Sequence, residues 1–394
     1  MSPYSPRELH DPETAAAIDN GYLSDILCNH HQQDDIQVLS FTSEQLKPGL
    51  VSTFAGGVFR YTLTCRRGTG EPYEAFLVFK TCASLKQLME AGRAFLTQLG
   101  YTRLLELGEY YQDKLWGAGP AYSELRSLQT FIPELPIGIP DIYHTVLDEE
   151  TERFWIFMED LSDAPMINTG DDLSTWTDAH LEQIVRDMAG MHAAHWDGRN
   201  VLARYDWLNW TATAERFQST LPYWDEVLKL ALERCADHLE KQHIAILKKI
   251  VENVVFIHTH LEKSTHTLIH GDISPRNLCF RPEASGLKAL LYDWGTVTVD
   301  VPQFDLHYFI NYMIDSAETP DLPGHLIDTY LDALPDSIRE TVDREAFMHT
   351  YNLSSLRYLG TRELFACSFA NAEWAFRTLK HNLHWAERVI DTCL

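Results

Sequence analysis

The sequence has no excess of basic residues. It contains 32 Lys and Arg against 57 Asp and Glu, which gives a formal net charge of -25 at pH 7. Because a nucleic-acid-binding protein needs a basic face to neutralise phosphates, this composition argues against a nucleic-acid partner. It also argues against adsorption to an anionic membrane surface. A cationic substrate is compatible with it, although net charge says more about solubility than about a site.

The chain also lacks a hydrophobic run long enough to span a bilayer, and its amino terminus lacks the basic-then-apolar pattern of a signal peptide. Its seven cysteines are scattered, odd in number and form no C-x-x-C pair. These absences predict a cytoplasmic protein with reduced thiols and without membrane insertion. The sequence does not indicate an oligomeric state.

The most informative segment lies between residues 268 and 295. An apolar stretch leads to His270-Gly271-Asp272, four residues follow before Asn277, and a second apolar run leads to Asp293. Mg²⁺ prefers hard oxygen ligands and keeps several waters, so two side chains such as Asn277 and Asp293 suffice. Asp272 then remains free to orient or deprotonate an acceptor hydroxyl. This set of residues on adjacent loops predicts phosphoryl transfer.

In residue type and spacing, the same segment resembles the catalytic signature of the aminoglycoside phosphotransferase and choline kinase superfamily. The resemblance implies that Asp272 is the catalytic base and that Asn277 and Asp293 bind Mg²⁺. It implies that His270 is a structural residue of the loop. Asp305, in a Pro-x-x-Asp-Leu element, is expected to brace that loop through hydrogen bonds rather than to bind metal.

The resemblance also implies the fold class, which is α+β with the two lobes of the protein-kinase-like fold. We expect a small antiparallel-sheet N-lobe that binds nucleotide over residues 1–160, with a helical insertion at about 84–119. A large, mainly helical C-lobe over residues 161–394 would carry the catalytic loop and the acceptor-binding helices. A chain of 394 residues is long enough for both lobes.

The small lobe shows the alternating pattern of strands between Ile36 and Ala83. Gly56 and Gly57 lie between the first two strands, and Lys80 ends the third. This order resembles the superfamily's nucleotide loop and phosphate-binding lysine, and within the superfamily it is closest to the ecdysteroid-kinase-like branch. Glycines let backbone N–H groups approach a triphosphate closely.

Two further small-lobe elements follow from the resemblance. The regulatory helix would place a glutamate against Lys80; Glu124 is our choice, and Glu109 is the alternative because the insertion shifts the spacing. A later strand ends at Met158-Glu159-Asp160, which resembles the hinge between lobes. There the exposed backbone of Glu159 and its neighbours would hydrogen-bond the adenine edge.

The histidines near the predicted core helices do not indicate zinc, because they form no H-E-x-x-H motif and have no cysteine at ligand spacing. We expect core or capping roles for these residues: His192, His195, His258, His260 and His266.

We predict an ATP- and Mg²⁺-dependent kinase acting on a hydroxyl of a small molecule. The aromatic C-terminal region and the ecdysteroid-kinase-like pattern favour a neutral, apolar alcohol or natural product. An aminoglycoside or choline-like amine is the alternative acceptor. A non-catalytic nucleotide-binding protein is a second alternative, and phosphorylation that prepares an elimination is a third.

Overall fold

The computed structural model describes residues 17–46, 57–115, 117–167, 169–170, 172–208, 213–284, 286–313, 322–369 and 373–394. Gly56 and most of the predicted nucleotide loop therefore lie outside the described residues. Within these ranges, no helix combines the length and the hydropathy that a bilayer crossing requires.

The first lobe is built on a five-stranded antiparallel sheet with the order β1-β2-β3-β5-β4. Its strands are β1 (Ile36–Gln45), β2 (Gly57–Arg67), β3 (Tyr73–Thr81), β4 (Ile142–Asp148) and β5 (Arg153–Met158). In β2 the residues from Gly57 to Cys65 alternate strictly between buried and half-buried, as expected for a strand with one face on a core. That core includes Phe59, Tyr61, Leu77 and Phe157.

One group of helices precedes β4 in the chain, and a later group forms most of the second lobe. The earlier ones are α1 (Asn20–His31), α2 (Leu85–Leu99), α3 (Thr102–Tyr110), α4 (Gln112–Leu115) and α5 (Pro120–Thr130). The later ones are α6 (Asp178–Ala193), α7 (Arg199–Leu202), α8 (Ala214–Ser219), α9 (Leu221–Cys235), α10 (Lys241–Glu252), α11 (Val254–Leu261), α12 (Gln303–Met313), α13 (Leu322–Ala333), α14 (Asp336–Arg339), α15 (Arg344–Tyr358), α16 (Leu364–Phe369) and α17 (Glu373–Cys393). A π-helical turn, Leu359–Glu363, joins α15 to α16.

The predicted helical insertion packs on the second lobe. Leu104, Leu107 and Leu115 of this region share a core with Tyr223 and Val227 of α9. The sequence analysis places residues 84–119 as an insertion in the N-lobe. In the structure, the buried apolar residues of α3 and α4 pack in the same cluster as α9.

Two short two-stranded sheets position the predicted catalytic loop. They pair β6 (Thr267–Ile269) with β9 (Thr298–Asp300), and β7 (Leu278–Glu283) with β8 (Gly286–Leu291). Leu278 lies opposite Leu291, and the N–H of Tyr292 donates to the carbonyl of Asn277 at 3.1 Å. This register places the residue after Tyr292, Asp293, beside the end of the loop that carries Asn277.

Gly138 links the segment that leads into β4 to the second lobe. Its N–H donates to the carbonyl of Ala289 at 3.1 Å, and its carbonyl accepts from the N–H of Leu291 at 2.9 Å. A Cβ atom at Gly138 would lie 2.5 Å from the Ala289 oxygen and 2.4 Å from Cδ2 of Leu290. Only glycine permits this close approach without a backbone shift.

We therefore expect Gly138→Ala to lower the free energy of unfolding by about 1–3 kcal/mol, the usual cost of overpacking. Gly92→Ala is the matched control, because Gly92 lies in α2 and a Cβ atom added there would have no neighbour within 4 Å. Alanine there should be neutral or stabilising. Urea unfolding of both variants measures the difference; equal stability would show that the Gly138 contact is not tight.

Candidate active site

The loop between β6 and β7 is held in shape by Gly271 and His270. Gly271 has a φ of 80°, and a Cβ there would lie 2.5 Å from the carbonyl oxygen of Thr296. Nδ1 of His270 accepts from the N–H of Asp272 at 3.2 Å, and its Nε2 lies 3.1 Å from the carbonyl oxygen of Tyr292. Because both ring nitrogens are engaged within the loop, His270 is suited to a structural role and not to that of a base.

Asp305 lies directly behind this loop. Its two carboxylate oxygens accept from the backbone N–H groups of His270 and Gly271, each at 2.8 Å. Nε2 of His192 lies 3.3 Å from the same carboxylate, which is fully buried. Hydrogen bonds from backbone N–H groups to a buried carboxylate are strong. Asp305 is therefore positioned to brace the loop rather than to bind a metal.

Asp272 and Asn277 contact each other. Nδ2 of Asn277 donates to Oδ2 of Asp272 at 2.8 Å and to its carbonyl oxygen at 3.0 Å. The amide nitrogen of Asn277 is thus directed at Asp272, which leaves the amide oxygen as the atom that Asn277 can offer to a cation. Oδ1 of Asp272 is not used by Asn277, and the side chain retains partial exposure, 28%.

Lys80 connects the sheet to the catalytic lobe. Its Nζ lies 2.8 Å from both carboxylate oxygens of Glu124 in α5, and 2.8 Å from Oδ1 of Asp293. Burial by itself lowers the pKa of the Lys80 ammonium, but the carboxylates of Asp293 and Glu124 outweigh it and raise that pKa well above its usual value. The alternative partner, Glu109, instead pairs with Arg93 at 2.8 Å.

Asp293 follows β8 in the left-handed conformation, with a φ of 65°. The nearby ammonium of Lys80 lowers the pKa of the Asp293 carboxyl, against the opposing effect of burial. The group is therefore ionised at neutral pH. Half of its side chain remains exposed toward the space between the lobes. The residue before it, Tyr292, donates its N–H to the carbonyl of Asn277. An ionised carboxylate at Asp293 and the amide oxygen of Asn277 are ligand types that suit Mg²⁺.

The predicted hinge residues, Met158, Glu159 and Asp160, follow or end β5. The N–H of Glu159 donates to the carbonyl of Asp141 at 2.8 Å and is therefore already engaged within the chain. Its side chain pairs with Arg281. The carboxylate of Asp160 lies 2.6 Å from Nε of Arg60. Met158 ends β5, where it pairs with Val78 of β3.

Gly57 opens β2 and pairs with Thr81, the residue after Lys80. This pairing brings the end of the predicted glycine turn beside the lysine. The sequence predicted that proximity from the order of the two elements.

Two residues near Asp272 were not anticipated from the sequence. Arg362, in the π-helical turn, donates from Nη1 to the carbonyl of Gly271, and its Nη2 lies 3.9 Å from Oδ1 of Asp272. Tyr308 lies on the same side of the loop, and the Arg362 guanidinium lies 5.3 Å from the centre of the Tyr308 ring. Burial, followed by the charge of the nearby Asp272 carboxylate, raises the pKa of Tyr308 well above its usual value, so its hydroxyl stays protonated.

The π turn explains why a sequence pattern did not reveal Arg362. An i→i+5 turn rotates the following side chains away from the positions that a 3.6-residue period predicts. Gly360 lets the turn lie against α10, since a Cβ at this position would be 2.6 Å from Cγ2 of Ile250. The register of Arg362 therefore depends on packing between distant helices.

The aromatic residues of the C-terminal region are largely structural. Tyr351 and Tyr358 are buried, and Phe365 and Trp385 pack against the hydrophobic core of the second lobe. The side chains of Phe369, Trp374 and Phe376 lie outside the described part of the chain. The aromatic content alone therefore does not identify an apolar acceptor pocket.

Known structures with the same arrangement have the kinase-like fold of small-molecule phosphotransferases. A mutant aminoglycoside 2'-phosphotransferase-IIIa in complex with GDP matches with a TM-score of 0.51 and 13% identity, over 95% of this chain and 100% of that chain. A candidate aminoglycoside phosphotransferase from Ralstonia eutropha JMP134 matches with a TM-score of 0.51 and 14% identity, over 94% and 98%. At these identities the likeness establishes the bilobal fold.

The sequence profile of the ecdysteroid kinase-like family matches residues 123–341, more than half of the chain. The protein belongs to this family and is therefore a kinase-like phosphotransferase of the small-molecule class. The matched region contains Glu124, the catalytic loop, Asp293 and Asp305. No protein with a curated description matches the chain.

Glu363, which follows Arg362 in the π turn, yields a prediction about pH. Burial raises the pKa of its carboxyl from 4.5 to about 8, although a hydrogen bond with Tyr358 opposes the shift. The folded state thus retains a proton that the unfolded chain loses above pH 4.5. The free energy of unfolding should fall as pH rises from about 5 to 8, by at most about 1.4 kcal/mol per pH unit from this group.

Glu363→Gln should remove this slope, since an amide does not ionise. Urea unfolding at several pH values between 5 and 8 measures it, with the exposed Glu233→Gln in α9 as the control that keeps the wild-type slope. Identical pH profiles for Glu363→Gln and the wild type would contradict the prediction.

Proposed function

We propose that the protein transfers the γ-phosphoryl group of ATP to a hydroxyl of a small molecule in a Mg²⁺-dependent reaction. The observation that carries this proposal is the 2.8 Å contact of Lys80 with both Glu124 and Asp293. It joins the candidate phosphate-binding residue of one lobe to the candidate metal ligand of the other. Asp272 and Asn277 lie on the adjacent loop and complete the set.

The nucleotide would lie between the sheet and the catalytic loop. Lys80, held by Glu124, can reach triphosphate oxygens if its bond to Asp293 is exchanged for phosphate. The backbone of Gly56 and Gly57 would approach the phosphates. At the hinge after Met158, the carbonyl of Glu159 would accept from the base, and Asp160 would keep the chain in place through Arg60.

The oxygen donors of Asn277 and Asp293 fit a magnesium ion. Asn277 presents an amide oxygen because its nitrogen is bound to Asp272, and Asp293 is anionic and half-exposed. When bound there, Mg²⁺ would neutralise charge on the transferring phosphoryl group. Lys80 is near enough to contribute positive charge to the same oxygens.

Asp272 would accept or orient the proton of the acceptor hydroxyl. Asn277 holds Oδ2, so Oδ1 is the oxygen that faces the acceptor. The charge of Arg362, 3.9 Å from Oδ1, and the protonated hydroxyl of Tyr308 would favour the ionised carboxylate at this position. These contacts would limit the rotation of Asp272 and keep it directed at the acceptor hydroxyl, whose oxygen attacks phosphorus.

Arg362 favours an acceptor without a positive charge near its reactive hydroxyl. The Arg362 guanidinium already supplies positive charge beside the Asp272 carboxylate, so it would repel a cationic amine that approaches the same carboxylate. Surface charges that lie more than about 8–10 Å from the site are largely screened by salt, whereas Arg362 lies 3.9 Å from Asp272. We therefore favour a neutral alcohol over an amino sugar or a choline-like amine.

The first prediction concerns catalysis. Asp272→Asn should lower kcat by about 10²–10⁴-fold, the usual contribution of a general base, without changing the nucleotide Kd. Mass spectrometry with Mg²⁺, ATP or GTP and a panel of polycyclic alcohols, amino sugars and aminoalcohols would detect the added phosphoryl group. The exposed Asp336→Asn, which removes a carboxylate paired with Arg339, is the control.

The outcomes separate the alternatives. Nucleotide binding without modification of any acceptor would favour a non-catalytic protein. A product that has lost water instead of gaining a phosphoryl group would indicate elimination. If Asp272→Asn retains wild-type kcat, Asp272 is not the base.

The second prediction concerns acceptor charge. Arg362→Gln should raise the ratio of kcat/KM for a cationic acceptor to that for a neutral one by about 10-fold, which corresponds to about 1.4 kcal/mol. The KM for ATP should not change. Arg344→Gln is the matched control, because Arg344 pairs with Asp328 on the surface. An unchanged ratio in Arg362→Gln, or a wild type that prefers cationic acceptors, would contradict the proposed selectivity.

A further inference from the structure

A cluster of possible metal ligands lies between α10 and α17, on elements that contain none of the predicted catalytic residues. Nε2 of His243, in α10, is 3.2 Å from Oε1 of Glu387 in α17. Nδ1 of His384, one helical turn before Glu387, is 3.4 Å from Oε2 of the same carboxylate. One ligand atom from each of the three residues lies within 4.8 Å of the others.

His243 is the unusual member of the cluster. It is 3% exposed, and neither ring nitrogen makes a hydrogen bond with the described residues. The short approach to Glu387 therefore lacks hydrogen-bonding geometry. Burying a polar group without a partner is unfavourable, and such a group calls for an explanation such as an ion.

We propose that His243, His384 and Glu387 bind a divalent transition-metal ion of the zinc type. Ligands at about 2.0–2.2 Å from a tetrahedral Zn²⁺ lie about 3.4 Å from one another. The approaches of His243 to Oε1 of Glu387, 3.2 Å, and of His384 to Oε2, 3.4 Å, are close to this length, and a rotation of the carboxylate would bring one oxygen to both imidazoles. The separation of the two imidazoles also has to shorten, and His384 is exposed enough to move, at 56%.

The chemical types of the three proposed ligands indicate which class of metal ion would bind. Two imidazoles and one carboxylate suit Zn²⁺ and its neighbours in the first transition row, whereas Mg²⁺ takes oxygen ligands. The three side chains leave a fourth position for water. Nε2 of Gln242 donates to Oε1 of Glu387 at 3.0 Å and would orient the carboxylate, as partners of metal ligands commonly do.

Binding at this site would tie the C-terminal helix to α10. A second contact between the same helices, from Lys249 to Asp391 at 3.0 Å, is exposed and contributes little by itself. A metal ion that binds the folded chain raises its Tm by mass action. The site would therefore act on the stability of this helix pair and does not depend on the proposed kinase reaction.

The test is a titration of chelator-treated full-length protein with Co²⁺ and Zn²⁺, with Mg²⁺ as the comparison. Tetrahedral Co²⁺ with two imidazole ligands absorbs strongly in the visible region, whereas Co²⁺ bound by oxygen ligands alone absorbs weakly. The spectrum therefore distinguishes Co²⁺ bound at this site from Co²⁺ bound by the carboxylates of the candidate active site. We expect one equivalent of Co²⁺ to bind with strong visible absorption and to be displaced by Zn²⁺. We also expect Zn²⁺ to raise the Tm of the protein.

His384→Ala and Glu387→Gln should weaken this binding by about 10-fold or more and abolish the Tm increase. Both residues are at least partly exposed, so these variants should fold even if a change at buried His243 does not. His325→Ala is the matched control, because His325 also pairs with a carboxylate, Glu182, at 2.9 Å. Absence of the strong Co²⁺ band in the wild type, or equal binding by His384→Ala, would overturn the proposal.

Discussion

The ion pairs of Lys80 are the interaction on which the candidate site depends. An ammonium that is largely removed from water needs compensating charge, and Glu124 and Asp293 supply it from opposite sides. The pairs also connect β3, α5 and the end of β8, which belong to different parts of the fold. The position of the sheet relative to the predicted catalytic loop therefore depends on Lys80, Glu124 and Asp293 being ionised.

A second constraint acts from inside the helical lobe. Asp305 accepts two backbone N–H groups of the catalytic loop, and His192 and Tyr330 continue this buried network toward α6 and α13. Since this network is fully buried, its hydrogen bonds hold the backbone of the loop in one conformation without the help of a ligand. The side chain of Asp272 then needs only to be oriented by its neighbours. Orienting one side chain restricts fewer torsion angles than ordering a whole loop.

The sequence predicted the parts of this structure that depend on local order. The alternation in β2, the spacing from Asp272 to Asn277 and the hairpin before Asp293 are local features, and the bilobal fold that they indicated is confirmed by the known structures. The roles assigned to the site residues stay predictions. The packing of α3 on α9, the bond that occupies the N–H of Glu159, and the position of Arg362 depend on contacts between distant segments, which no periodicity encodes.

The π turn has a consequence for how such proteins diversify. Asp272, Asn277 and Asp293 lie within one continuous stretch of about two dozen residues, whereas Arg362 approaches Asp272 from a separate helical segment. A π turn is equivalent to one residue added to an α-helix, so it can be gained or lost by a single codon insertion or deletion. In the proposed function, acceptor preference and phosphoryl transfer therefore depend on separate segments of the chain, so a change in one segment need not alter the other.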